Sequence, residues 1–155
     1  MIADPGAKTW EDKCRLLKDL GYDGVEMDSP SDVKREDVLA AQSKTGVQVN
    51  GLVDSKDWAH PLNSSDPKVR AESLAALEIA LADAKAYGAT SVLLVPAVVN
   101  AKLPYGDAWK LSIEEIKKAV PKAQELGVKI AIENVWNQFL ESPLEAARYV
   151  GGFQS

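Results

Sequence analysis

Four carboxylates and three carboxamides stand where apolar runs of the sequence give way to polar residues: Glu26 and Asp28, Asp54, Asn100, and the group Glu133, Asn134 and Asn137. A carboxylate can take up a proton or accept hydrogen bonds from a ligand, and an amide can both donate and accept. Glu133 is the sharpest case, because "KIAIENVWNQF" is apolar up to Ile132 and then turns polar at once. Left unpaired at the end of a buried strand, such a carboxylate is costly, so a partner or a ligand has to stabilise it. Strand-end acids also serve as helix caps or as acceptors for loop amides. For Glu133 the apolar neighbours lower the local dielectric and favour a functional role.

The elements that would position these groups repeat one rhythm four times: a helical pattern, a closing glycine, then a short run rich in Val, Ile or Leu. The first is "TWEDKCRLLKDLG" then "YDGVEMD", with Thr9 and Asp12 as a capping pair and Trp10, Cys14 and Leu17 on one face. The second is "KREDVLAAQSKTG" then "VQVNGLVD". A third helix opens with Asp66 as cap and Pro67 at its first position, and is followed by "ATSVLLVPA". The fourth, "SIEEIKKAVPKAQELG", reads as capped by Ser112 and Glu115 and as kinked or split near Pro121, before "VKIAIENV". One more helix starts at "ESPLEAARYV" with Ser142 as cap. The closing glycines, Gly21, Gly46, Gly88 and Gly127, are unequally spaced, which excludes a tight solenoid.

Helices alternating with near-continuous apolar strands predict an α/β fold with a parallel sheet. An open doubly wound sheet and a (β/α)8 barrel both fit that pattern. No glycine occurs in "SPSDVKRE" after the first strand, where a phosphate-cradling loop of the open sheet would lie, and this favours the barrel. Four strands do not close eight, so the expectation is residues 1–155 as a single domain, a partial barrel. In either architecture these polar groups fall on the carboxyl-end rim, where ligands bind.

Composition narrows the partners. The chain has 155 residues, a formal net charge of −5 and 18 scattered Lys and Arg residues, which argues against a phosphate backbone. No apolar stretch is long enough to span a bilayer, and "MIADPGAKTWEDK" lacks the features of a signal peptide, so a cytoplasmic protein without a membrane partner is expected. Cys14, the single cysteine, permits no internal disulfide and reads as a small core residue.

Taken together, "GYDGVEM", the loop "HPLNSSDPKVR" running into a long helix, "GATSVLLVPA" and "VKIAIENVWNQFLESPLEAARYV" resemble the sugar phosphate isomerase/epimerase family with the xylose isomerase-like TIM barrel. The resemblance makes the four strands the second to fifth of the barrel. It implies isomerisation or epimerisation of a ketose or aldose, as a sugar or sugar phosphate, through metal-assisted proton transfer and an enediolate. The family's fifth-strand glutamate, a ligand of a divalent cation (Mn, Mg, Co or Zn) and one of an acid/base pair, falls on Glu133. The other family ligands, an Asp, a His and a second Glu, come from strands six to eight, so this stretch alone is expected to be inactive or nearly so. Glu26, His60, Trp136 and Asn137 are the expected substrate contacts. His60 reads equally well as a loop residue bonded to backbone, and Trp58 and Trp136 as pocket walls or as packing. Endonuclease IV, a zinc phosphodiesterase of the same superfamily, also resembles "HPLNSSDP" and the glutamate of "IEN". Its fourth strand ends in His-Pro-Gly where this chain has Val95, Pro96 and Ala97. A third expectation is a non-catalytic half-barrel that self-associates, and in every case open sheet edges predict a homo-oligomer.

Overall fold

The computed structural model describes residues 5–153. Its elements in chain order are α1 (Trp10–Asp19), β1 (Gly24–Ser29), α2 (Arg35–Thr45), β2 (Gln48–Asp54), α3 (Pro67–Tyr87), β3 (Ser91–Leu94), α4 (Tyr105–Leu126), β4 (Lys129–Ile132) and α5 (Pro143–Gly151).

Local chemistry sets most of these boundaries. At α1 the capping pair is reciprocal: Asp12 N–H donates to Thr9 Oγ1 at 3.1 Å and Thr9 N–H to Asp12 Oδ2 at 2.9 Å. Asp66 caps α3 by accepting from Lys68 N–H at 2.8 Å, and Pro67 follows as its first residue. The far end of α3 closes at Gly88 with φ +82, a left-handed conformation that a β-carbon would oppose. An Asp66→Ala substitution is expected to lower stability by about 1 kcal/mol. In urea unfolding the midpoint should fall with an unchanged slope.

The fourth helix departs from the sequence expectation. It begins at Tyr105, not at Ser112, and runs unbroken through Pro121. Ser112 lies inside it, fully buried, with its hydroxyl 2.6 Å from the Tyr149 hydroxyl, so a side chain that reads as a cap is a partner for α5. Glu115 is held by Arg70 at 3.0 Å and by Lys118 at 2.6 Å and caps nothing. Pro121 is exposed, while Ile116, Ala119 and Ala123 on the opposite face are buried and keep the helix in register across it. The strands of the last two units are also shorter than their apolar runs, four residues each.

All strand pairs are parallel and the sheet order is β1-β2-β3-β4. Met27, Leu52, Val92 and Ile130 form one row across the sheet, facing the core with Leu77, Leu81 and Ile116 of the helices. The alternate row, Asp28, Val53, Leu93 and Ala131, lies on the opposite face. Helices pack in sequence, α1 on α2, α2 on α3 and α3 on α4. An order without reversal and helices in one succession are what right-handed crossovers give when every strand is added on the same side. A doubly wound sheet needs a reversal, and none is present. Among the described residues β1 and β4 each have one unpaired edge.

Candidate functional site

A cleft of about 310 Å³ opens at the carboxyl ends of the strands. Asp28, Asp54, Asp57 and Glu133 line it together with Ser55 and Trp58, and apolar Val53, Leu93 and Val95 lie between them. Asp54 closes β2, and Glu133 follows β4 directly, its N–H extending the ladder to the Leu94 carbonyl at 2.9 Å.

The four carboxylates divide into two kinds. Asp28 and Glu133 are exposed, and β4 has no fully buried residue, so Glu133 is not the carboxylate of a buried strand that its apolar neighbours in the sequence suggest. Asp54 and Asp57 are 1% and 2% exposed. Asp54 Oδ1 accepts from Lys56 N–H at 2.9 Å, whereas its Oδ2 is buried without a hydrogen-bond partner. Burial pushes the Asp54 carboxyl up to about 6; the backbone N–H groups of Lys56 and Asp57 offset part of that, and the charge of the Asp57 side chain adds to it. Asp57 accepts from Val95 N–H at 2.9 Å through Oδ2. Burial raises its carboxyl as well, and the Glu133 charge pushes the same way.

Backbone contacts lace the loops around the cleft. Asp57 fastens the loop after β2 to the end of β3. Asn63, fully buried, holds both the N–H and the carbonyl of Val98, at 3.0 and 2.7 Å. Asn137 donates to the Ala97 carbonyl and accepts from Phe139 N–H at 3.1 Å, tying the loop after β4 to the loop after β3.

Of the residues that the sequence singles out, the structure brings Glu133, Asp54, Asp28 and Trp58 into the cleft. Glu26 lines a neighbouring groove along β1, with Oε1 beside Gly51, whose missing side chain leaves it room. His60 is half-buried outside the cleft, with Nε2 3.5 Å from Glu72 Oε2. Trp136 is fully exposed, and Asn137 is occupied by the backbone contacts just described. Asn100 caps its own turn by accepting from Lys102 N–H at 2.9 Å. Asp57 and Asn63 carry no sequence signal that separates them from ordinary loop residues, since their partners lie 38 and 35 positions away. For a metal ion the fit is poor: no three His, Cys, Asp or Glu side chains among the described residues are placed to hold one.

The profile of the xylose isomerase-like TIM barrel family matches residues 14–155. The L-ribulose-5-phosphate 3-epimerase UlaE of Escherichia coli (strain SE11) is 29% identical over 156 residues, covering 94% of this chain and 55% of the relative. This chain thus spans about half the length of the curated relatives it matches. A D-psicose 3-epimerase solved in the presence of D-fructose superposes with a TM-score of 0.76 at 18% identity, over 95% of this chain and 55% of its own. The IOLI protein with a bound zinc atom gives 0.71 at 20% identity, over 97% and 56%. At such identities the likeness is one of fold: the four strands and their helices match part of a (β/α)8 barrel.

Proposed function

We propose, because the chain belongs to the xylose isomerase-like TIM barrel family, that it serves a sugar isomerase or epimerase in which Glu133 is the acid/base residue. The supporting observation is the place of Glu133: at the end of the fourth strand, on the cleft, with a solvent-open carboxylate beside two buried ones. A carboxylate so placed can remove the proton from the carbon next to a sugar carbonyl. The C–H electron pair moves to form the enediolate, and the negative charge settles on the former carbonyl oxygen. Return of a proton to the other face of the same carbon gives an epimer; return to the former carbonyl carbon, with the neighbouring hydroxyl proton passing to the former carbonyl oxygen, gives an isomer. The epimer needs a second proton donor on the face opposite Glu133, whereas the isomer can be reached with Glu133 as the one base that takes and returns the proton. Glu133 is the one ligand of the family set that this chain would offer a divalent ion, and the described residues complete no metal site. Four carboxylates around the cleft repel a phosphodiester backbone, which leaves the endonuclease reading unsupported.

The test is a chimera of residues 1–155 with the second half of the E. coli relative, incubated with a ketose or ketose phosphate in D2O. Deuterium entering at the carbon next to the carbonyl, with appearance of the epimer or isomer, is the expected result. The 155-residue chain alone is expected to give neither. Absence of both from a folded chimera, across a panel of ketoses and their phosphates, would count against the proposal.

We further propose that the chain self-associates through its open sheet edges. Beside β4 lies an apolar groove of about 500 Å³ lined by Ile130, Ile132, Val120, Val150 and Phe153, and unpaired strand edges invite a second chain. Light scattering on the 155-residue chain at tens of micromolar is expected to give a dimer or larger species. A stable monomer would overturn this.

A further inference from the structure

Within the cleft, the loop after β2 pairs an unused hydrogen-bonding atom with an exposed indole. Asp54 lines the cleft, is 1% exposed, and has its Oδ2 unpartnered while Lys56 N–H fixes Oδ1. Leaving a buried carboxyl oxygen unpaired is unfavourable, and turning the Asp54 side chain toward a hydrogen-bonding ligand in the cleft would relieve it. Four positions on, Trp58 lines the same cleft and is 57% exposed. Asp57 between them is bonded to Val95 N–H, so the loop is anchored and the indole is presented by a fixed backbone.

The chemistry of these two groups restricts what fits. A phosphate would meet Asp28, Asp54, Asp57 and Glu133. A purely apolar ligand would leave Asp54 Oδ2 as it is. A polyol offers both things the wall lacks: hydroxyls that can donate to or accept from a carboxyl group, and a C–H face that packs on an aromatic ring. We infer that the Asp54–Trp58 loop is a subsite for the uncharged, hydroxyl-bearing part of a sugar, with Asp54 Oδ2 hydrogen-bonded to one hydroxyl and the Trp58 ring against the C–H face. This rests on the sugar reading above for the identity of the ligand, and it makes Asp54 a specificity-determining residue that the sequence resemblance does not supply.

Saturation-transfer NMR of D-fructose with the 155-residue chain tests it. Saturable binding is expected at or below about 100 mM, the weak range open to a half-enclosed site. Asp54→Leu should weaken binding by about tenfold or more, since an apolar side chain makes no hydrogen bond to the hydroxyl, while Asp54→Asn, which still can, should stay within about threefold. Trp58→Ala should weaken it by a comparable factor, and that side chain is too exposed for its loss to unfold the chain. Wild-type affinity in either Asp54→Leu or Trp58→Ala, or no saturable binding by the wild type, overturns the subsite. The two proposals fail separately. A chimera that epimerises equally well after Asp54→Leu sinks the subsite and spares the enzyme reading. Sugar binding that depends on Asp54, with no turnover by a folded chimera, does the reverse.

Discussion

Glu133→Gln is expected to lower turnover by about 10³-fold in a barrel completed with the second half of a family relative, the scale of a lost general base. The amide keeps the size and shape of the side chain and loses the lone-pair basicity that removes a proton from carbon. Because Glu133 is exposed and its backbone, not its side chain, makes the ladder bond to Leu94, the fold should be untouched. Circular dichroism and urea unfolding of the variant should therefore overlay the parent. The informative measurement is deuterium exchange at the carbon next to the carbonyl, which isolates proton removal from later steps. Exchange at the parental rate would reduce Glu133 to a structural group at the end of β4. Loss of exchange together with loss of fold would equally leave the assignment without support.

A second large effect concerns stability and pH. Asp54 sits at about 6 in the folded chain against an ordinary value of 3.8, raised chiefly by burial. The sign follows from proton binding. Below the ordinary value the carboxyl is protonated whether folded or unfolded, and its ionisation costs nothing. As pH rises from 3.8 towards 6, the unfolded chain releases the proton and the folded chain holds it, so stability falls. Above that window the full cost is present, about 3 kcal/mol for a shift of this size. Asp54→Asn removes the dependence. The stability difference between variant and wild type should therefore move in favour of the variant by about 2 kcal/mol between about pH 4.5 and pH 7.5, most of the full cost. Urea unfolding across that range reads it directly. A difference that stays flat with pH would show that Asp54 is solvated in the folded chain.

Much of the fold is legible because its signals are local. Thr9 with Asp12, Asp66 with Pro67, and Ser142 ahead of Pro143 mark helix starts by chemistry that acts within four residues, and the structure uses all three as caps. Ser112 carries the same local signal and is misleading. Its hydroxyl meets Tyr149, 37 positions away, and the preceding residues from Tyr105 onward are drawn into the helix by burial of Ala108 and by the packing of Tyr105 and Trp109 on Phe139. Pro121 misleads for a related reason, since packing on the opposite face outweighs one missing hydrogen bond. At the cleft the same contrast holds. Asp28, Asp54 and Glu133 are visible because strand ends are visible. Asp57 is not, because its role is to hold an amide on another strand. His60 and Asn137 attract notice by residue type, yet the structure gives them Glu72 and the loop backbone as neighbours.

The unreversed strand order also bears on how the chain is made. Gly24 pairs with Gln48, Leu52 with Val92 and Ser91 with Lys129, so every strand docks on the one that precedes it in the sequence. During synthesis the template for each strand has already left the ribosome when that strand emerges, and none has to stay exposed until a distant later partner arrives. Emergence and assembly can therefore run in the same direction, with β2, β3 and β4 each added in turn at one and the same side of the sheet.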